Sequence, residues 1–287
     1  MLHKARAAVY TAALFFASGM WLLSACGGVS LLQSRSERAE TIAREHGWIA
    51  QSFPTPGFTL RGYHGRYQPG QDRLAVYIEG DGVAWVTPTV ISSDPTPDTP
   101  LALGLAVQDP SPNSLYLARP CQYATEFELS RCNPALWTSH RYAPQVVEAL
   151  NAAIDQAKRE AGAESLYLFG YSGGGSLALL LAARRTDVAK IVTVAGNIDH
   201  AAWTRLHGDT PLHGSLDAAA EADAVSAIPQ VHFSGAEDKL VPSSIPASYR
   251  RAARNPSRIA VVSVADADHL CCWIDKWPQL LRQYVYR

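Results

Sequence analysis

One stretch of the chain, residues 165–184, limits what the sequence can fold into. Residues 166–169 are an apolar run with two aromatics, which is typical of a buried strand. Residues 177–183 are apolar and rich in helix formers. Between them, residues 170–174 fit the pattern G-x-S-x-G, which is typical of a sharp strand-to-helix turn that presents a serine hydroxyl. The pattern predicts that Ser172 is a nucleophile.

A glycine-rich loop or a phosphate cradle is the alternative interpretation of residues 170–174. A phosphate-binding loop of the common type carries a lysine directly after its glycines. No lysine follows here, because the chain continues Ser-Leu-Ala-Leu. The nucleophile interpretation is therefore favoured.

Predicted strands and helices alternate along most of the chain. Strands are expected at residues 73–79, 114–119, 166–169, 190–195, 230–234 and 259–264, and helices at 36–46, 142–161, 177–183, 245–254 and 273–286. This order is typical of an α/β fold with a mostly parallel central sheet and helices on both faces. With 287 residues and 47% hydrophobic content, the chain is long and apolar enough for one sizeable domain. Residues 83–113 and 120–141 are expected to be long irregular loops.

A serine hydroxyl needs an imidazole to take its proton. The imidazole in turn needs a carboxylate that fixes its tautomer. In a parallel sheet such groups are expected just beyond the carboxyl ends of strands. Asp238 and His269 meet this condition, because they follow the strands at 230–234 and 259–264. Glu237 and Asp199 are the competing acids.

From about residue 58 onward, the chain resembles an α/β-hydrolase fold serine hydrolase. The resemblance rests on G-x-S-x-G at residues 170–174, G-x-x-D-x-x-V-P at 235–242 and D-x-D-H at 266–269. It implies that Ser172 is the nucleophile, Asp238 the orienting acid and His269 the general base and acid. It also implies a reaction that needs no metal and no organic cofactor.

The resemblance further implies an oxyanion hole made of two backbone N–H groups. One is expected from Gly173, directly after the nucleophile. The other is expected from Asp81, in the loop that follows the strand ending at Glu79, with Gly82 as the alternative donor. Many members of the family have His-Gly-x-Gly at this loop, whereas this chain has Glu-Gly-Asp-Gly.

The N-terminus resembles a bacterial lipoprotein signal. A short basic start precedes an apolar run at residues 7–23, and the sequence Leu-Ser-Ala-Cys ends at Cys26. The resemblance implies a signal peptide at 1–25, a lipid on Cys26, a tether at 26–57 and a catalytic domain at 58–287. It places the protein in the cell envelope, lipid-anchored at the periplasmic face of the outer membrane. A plain signal peptide or a membrane-anchoring helix is the alternative.

Four further cysteines remain. Cys121 and Cys132 lie in one expected loop, so we expect them to form a disulfide in an oxidising compartment. Cys271 and Cys272 would then be free or bonded to each other, and a crossed pairing of the four stays open. A metal site is disfavoured, because the cysteines form no C-x-x-C pattern and lie near no H-x-x-x-H pattern.

The sequence therefore predicts a hydrolase that cleaves carboxylic esters through an acyl-serine intermediate. A peptidase, a thioesterase, an acyltransferase and a non-catalytic envelope binding protein are the alternatives, since a fold does not fix a substrate. We expect a small-molecule ester as substrate and a membrane contact through Cys26. A formal net charge of −1 gives no reason to expect nucleic acid. Trp85, Trp137 and Trp203 are candidates for the wall of the pocket.

Overall fold

Successive side chains of a central strand point into two different apolar cores, one on each face of the sheet. The computed structural model describes residues 34–286. In the strand Arg73–Ile78, Leu74 and Val76 belong to one apolar core, and Ala75 and Tyr77 belong to another. Because successive strand side chains point to opposite faces, this strand is buried from both sides.

The helices and strands follow one another along the chain, and the longest connection between them, residues 208–229, joins α6 to β9. In order they are α1 (Arg35–Glu45), β1 (Ile49–Thr55), β2 (Phe58–His64), β3 (Arg73–Ile78), β4 (Trp85–Thr87), β5 (Val90–Ile91), α2 (Leu101–Ala106), β6 (Ser114–Leu117), α3 (Glu126–Leu129), α4 (Pro144–Ala161), β7 (Ser165–Tyr171), α5 (Gly173–Ala182), β8 (Val188–Val194), α6 (His200–His207), β9 (Gln230–Gly235), α7 (Ser244–Ala252), β10 (Ile259–Val264) and α8 (Trp273–Leu280).

Eight of the strands form one sheet, in the order β1-β2-β6-β3-β7-β8-β9-β10. β2 runs antiparallel to both of its neighbours, and all the other pairs in the order are parallel. The sheet is mostly parallel, as the sequence predicts. β4 and β5 pair only with each other and form a separate short ribbon.

Helices cover both faces of the sheet. α4, α5 and α7 contribute to the core that contains Leu74, and α1, α2 and α8 contribute to the core that contains Tyr77. β7 lies between β3 and β8 in the interior of the sheet. The carboxyl end of β7, and with it Ser172, is therefore held by strands on both sides.

Residues 34–55 do not form the tether that the sequence analysis places there. They form α1 and β1, and β1 pairs along its whole length with β2 in the main sheet. The folded unit begins at Ser34. The short helix predicted at residues 36–46 is present as α1. The strand β1 is not predicted, because it is an edge strand in which only Phe53 is buried and its sequence therefore resembles a polar segment.

The expected irregular loop at residues 83–113 also contains regular structure. It holds the β4–β5 ribbon and α2, a six-residue helix whose residues are all buried. A helix this short shows too few turns for its periodicity to be visible in the sequence. Prolines on its N-terminal side add to the impression of a loop.

The disulfide predicted between Cys121 and Cys132 is present, and Cys271 is bonded to Cys272. No helix among residues 34–286 has the length and apolar character needed to cross a membrane. The predicted signal peptide and Cys26 lie outside the described residues.

Trp277 offers a test of the core on the α8 face. Its side chain is fully buried, meets the rings of Tyr77, Phe169 and Phe233 edge to face, and donates a hydrogen bond to the Tyr77 hydroxyl at 3.2 Å. We expect Trp277→Ala to lower the free energy of unfolding by about 3–5 kcal/mol, measured by urea denaturation. Phe127→Ala, at an exposed ring, should change it by less than about 0.5 kcal/mol. Equal effects of the two substitutions would contradict the assigned core.

Candidate active site

Ser172 lies in a strained turn between β7 and α5. Its φ of 49° and ψ of −120° are rare for a residue with a side chain. The turn is held by main-chain hydrogen bonds: the Ser172 N–H donates to the Val194 carbonyl at 3.0 Å, and the Ser172 carbonyl accepts from Asn197 at 2.9 Å. The end of β8 and the segment after it thus fix the serine in a conformation that it would not adopt alone.

Glycines surround the turn because neighbouring backbone leaves no space for a Cβ. A Cβ at Gly170 would overlap the carbonyl of Gly174, and a Cβ at Gly174 would overlap the carbonyl of Ile78. These contacts explain why G-x-S-x-G needs glycine at its first and last positions. They also bring α5 close enough to β3 to present Ser172 at the edge of the sheet.

The three predicted catalytic residues meet at this edge. His269 Nε2 lies 3.0 Å from Ser172 Oγ, and His269 Nδ1 lies 2.9 Å from Asp238 Oδ2. The Asp238 side chain is fully buried, whereas the imidazole is 15% exposed. A continuous chain of hydrogen bonds thus runs from a buried carboxylate to a hydroxyl at the surface of a cavity. This is the geometry that general-base activation of a serine requires.

The base and the acid are both held in place by other groups. Asp238 Oδ1 accepts hydrogen bonds from the N–H groups of Leu240 at 2.9 Å and Val241 at 2.7 Å. The Tyr171 hydroxyl donates to the His269 carbonyl at 3.1 Å, and the Tyr171 ring lies 5.5 Å from the imidazole. The carboxylate and the imidazole are therefore oriented before any substrate binds.

The competing acids have other roles or positions. Asp199 caps α6, since its Oδ1 accepts from the Ala202 N–H at 2.8 Å. Glu237 is exposed next to Asp238. Of the three candidate tryptophans, Trp85 and Trp203 line the cavity beside Ser172, whereas Trp137 is buried and donates to the Ser92 carbonyl.

The two predicted oxyanion donors lie on adjacent segments of backbone. Gly173 is the first residue of α5, and a Cβ on it would overlap the Asp81 carboxylate. Within residues 34–286, neither the Gly173 N–H nor the Asp81 N–H donates to a protein acceptor. Asp81 lines the cavity, and the assignment of the oxyanion hole stays a prediction.

A buried cluster of charges, which the sequence analysis does not predict, holds the Asp81 loop. The Asp81 carboxylate pairs with Arg119 through Oδ1 and with Arg141 through Oδ2, the latter at 2.6 Å. Both guanidinium side chains are buried, and Arg141 also donates to the Thr138 carbonyl. Burial opposes ionisation of Asp81, but the charges of Arg141 and Arg119 outweigh it and lower the pKa of the carboxyl. Their sequence positions, at the two ends of a long loop, give no hint of this convergence.

Glu79, one residue before the same loop, is fully buried. Its Oε1 accepts a hydrogen bond from the Gly80 N–H at 2.8 Å. Burial raises the pKa of Glu79 to about 7, with the Gly80 hydrogen bond and the charge of Arg119 opposing the rise. The side chain therefore gains or loses its proton close to neutral pH.

A cavity of about 570 Å³ opens over Ser172 and His269. Its polar lining includes Glu79, Asp81, Asp98, Thr99, Arg141 and Asn197. Its apolar lining includes Val83, Ala84, Trp85, Tyr171, Trp203, Leu240, Val241 and Leu270. No group of three or more metal-ligating side chains occurs in the described part of the chain.

The structure is similar to many solved structures, of which 1028 chains match. The chain has the α/β-hydrolase fold. No protein-family model matches the sequence, and no curated protein matches it significantly.

The similar structures include several hydrolases at low sequence identity. A proposed dienelactone hydrolase from Klebsiella pneumoniae has 20% identity and a TM-score of 0.58, covering 84% of this chain and 98% of its own. Est1E from Butyrivibrio proteoclasticus has 14% identity and a TM-score of 0.54, covering 83% of this chain and 99% of its own. An acylaminoacyl peptidase from Pyrococcus horikoshii has 11% identity and a TM-score of 0.60, covering 83% of this chain and 40% of its own. At these identities the likeness establishes the α/β-hydrolase fold.

The Asp81 charge cluster can be tested by removing one charge. Asp81→Asn leaves Arg119 and Arg141 buried with a neutral partner, so the loop that carries the Asp81 N–H should shift. We expect kcat for a p-nitrophenyl ester to fall about 100-fold, the size of effect that loss of an oxyanion donor produces. Asp187→Asn is the matched control, since Asp187 also joins two cations, Lys158 and Arg185, at a distance from the cavity. A folded Asp81→Asn variant with unchanged kcat would contradict the positioning role.

The raised pKa of Glu79 gives a pH-dependent stability. Between its ordinary pKa of 4.5 and about 7, the folded state binds more protons at this site than the unfolded state. The stabilisation of the folded state that results from this raised pKa is complete below pH 4.5, and it is lost as the pH rises through about 7. The stability of the wild type relative to Glu79→Gln should therefore fall by about 3 kcal/mol from pH 4.5 to pH 8. Urea unfolding at graded pH measures this difference, and a constant difference would exclude the raised pKa.

Proposed function

We propose that this chain is a serine hydrolase that cleaves carboxylic esters through an acyl-serine intermediate. The observation that carries the proposal is the hydrogen-bonded chain from Asp238 through His269 to Ser172 at the floor of an open cavity. The α/β-hydrolase fold, in which such chains recur, supports it.

In the first half of the reaction, Ser172 Oγ attacks the carbonyl carbon while its proton passes to His269 Nε2. Asp238 stabilises the resulting imidazolium through Nδ1. The negative oxygen of the tetrahedral intermediate would accept from the N–H groups of Gly173 and Asp81. The bond from carbon to the leaving alkoxide oxygen then breaks, and His269 gives its proton to that oxygen. The products are an alcohol and an acyl ester of Ser172.

In the second half, water replaces the alcohol. His269 takes a proton from the water as its oxygen attacks the acyl carbon, and the bond to Ser172 Oγ breaks as Oγ regains a proton. The released product is a carboxylic acid. Every proton in this sequence moves between the substrate, water and two side chains of this chain, those of Ser172 and His269.

A small-molecule ester suits the cavity. Its volume of about 570 Å³ lies in the range of pockets that bind small ligands. Est1E was solved with ferulic acid bound, and at 12% identity it covers 83% of this chain. We infer by analogy that an acyl group of comparable size can lie against the apolar lining near Trp85 and Leu270.

We further propose that the protein is anchored to the cell envelope through a lipid on Cys26, at the periplasmic face of the outer membrane. The Leu-Ser-Ala-Cys sequence at residues 23–26 and the apolar run before it support this placement. The predicted disulfide between Cys121 and Cys132 agrees with an oxidising compartment.

Replacing Ser172 tests the nucleophile directly. Ser172→Ala removes the only atom that could form the acyl intermediate at this site, so hydrolysis of p-nitrophenyl butyrate should fall by about 10⁴-fold or more. The control is Ser130→Ala, at an exposed serine of another loop, which should retain the wild-type rate. Both variants are assayed by release of p-nitrophenolate. Near-complete retained turnover in a folded Ser172→Ala variant would remove the proposal.

A further inference from the structure

We propose that the mouth of the cavity docks onto a lipid surface, and that the enzyme draws its ester substrate from that surface. The proposal deepens the proposed function and rests on the lipid anchor included there. Its structural basis is the distribution of exposed apolar side chains around the cavity.

Nine large apolar side chains are exposed among residues 34–286. Four of them lie on the β4–β5 ribbon, and three line the cavity: Trp85 of the ribbon, Leu240 and Leu270. Six of the nine therefore lie on the ribbon or at the cavity that its Trp85 lines. We call these six the apolar rim: Trp85, Val86, Val90, Ile91, Leu240 and Leu270. Water-soluble proteins rarely expose large clusters of this kind unless the cluster contacts another apolar surface.

The ribbon that carries most of the rim is held firmly at its base. The Ser92 N–H donates to the Ala84 carbonyl at 3.1 Å, and the Trp137 indole donates to the Ser92 carbonyl at 3.1 Å. The Val83 N–H donates to the Pro95 carbonyl at 3.1 Å. The apolar side chains therefore project from a fixed platform, and Val86 is 65% exposed.

The ribbon carries no charge. Residues 85–91 read Trp-Val-Thr-Pro-Thr-Val-Ile, an aromatic and three β-branched aliphatic residues with two threonines and a proline. A nucleic acid or an acidic peptide would meet no cation on the ribbon itself. A tryptophan beside aliphatic side chains suits the boundary between lipid headgroups and acyl chains.

The start of the folded unit lies beside the same opening, which favours a membrane over other apolar partners. Arg35 of α1 binds Asp98 Oδ1 at 2.7 Å and the Asp94 carbonyl at 3.1 Å. Arg38 also donates to the Asp98 carbonyl. Asp98 lines the cavity, and Asp94 lies two residues after Ser92 at the base of the ribbon.

The chain between the anchor and this point is short. Cys26 precedes Ser34 by eight residues. Eight fully extended residues span at most about 28 Å. A lipid on Cys26 would thus keep Ser34 within about 28 Å of the membrane surface, and the Asp98 side chain that lines the cavity contacts α1 at the next residue, Arg35. In the proposed arrangement the rim contacts this lipid layer, and esters in the layer enter the cavity without crossing water.

The proposal can be tested by photo-crosslinking with the full chain. The protein is reconstituted in vesicles of phosphatidylethanolamine and phosphatidylglycerol that contain a phospholipid with a diazirine on its acyl chain. After irradiation, mass spectrometry of the digest should find lipid adducts on residues 83–92 and near Leu270, and none near Phe127, which is exposed elsewhere. Because labelling needs no hydrolysis, Ser172→Ala should give the same map. The adduct map therefore tests the docking of the rim even if Ser172 proves not to be a nucleophile.

A variant pair measures the consequence for activity. Val86→Ser/Val90→Ser alters two rim residues that do not line the cavity, and Ile49→Ser/Phe127→Ser alters two equally exposed residues elsewhere. We expect the first pair to lower hydrolysis of a long-chain p-nitrophenyl ester in vesicles about tenfold relative to p-nitrophenyl acetate in solution. The second pair should leave this ratio unchanged.

Three results would overturn the proposal. The first is an adduct map confined to residues before Ser34 or including Phe127 as strongly as the rim. The second is an equal rate ratio in the two variant pairs. The third is a protein–protein crosslink between ribbons of two copies, which would assign the rim to self-association.

Discussion

The contact of backbone against backbone at the Ser172 turn is the interaction on which the rest of the site depends. With no side chain at Gly170 and Gly174, α5 approaches β3 closely enough to hold the serine at a φ of 49°. A residue in this region costs about 1–3 kcal/mol. The turn persists because hydrogen bonds from β8 and from Asn197 restrain it on both sides. Ser172 Oγ is thereby aimed at the imidazole and away from its own helix.

The lining of the cavity combines two kinds of residue. Asp81 joins Arg119 and Arg141, which holds the loop expected to donate to the oxyanion, and buried Glu79 lies two residues before Asp81. Apolar residues also line the cavity, and one of them, Trp85, lies on the exposed ribbon. In the proposed reaction, backbone donors in the Asp81 loop serve the oxygen that gains negative charge, and apolar lining residues accommodate the acyl group.

The sequence predicts the parts of this structure that depend on local pattern. The apolar strands, the nucleophile turn, and the positions of Asp238 and His269 just beyond strand ends follow from spacing, because parallel strands end at one edge. It predicts the helix α1 but not β1 as part of the sheet, since an edge strand with one buried residue lacks a visible alternation. It also does not predict the Arg119–Asp81–Arg141 cluster, because long-range pairing of charges leaves no mark on the local sequence. The sequence points only to the Asp81 N–H, whereas in the structure the Asp81 carboxylate pairs with two buried arginines.

The central claim is that Ser172 is a nucleophile activated by His269 and Asp238. A fluorophosphonate reacts covalently only with an activated serine, so peptide mapping after incubation with such a probe tests the claim most directly. We predict a single phosphonyl adduct, on the peptide that contains Ser172, and its loss when His269 is replaced by alanine. An unlabelled protein, an adduct on another serine, or undiminished labelling without His269 would contradict the account.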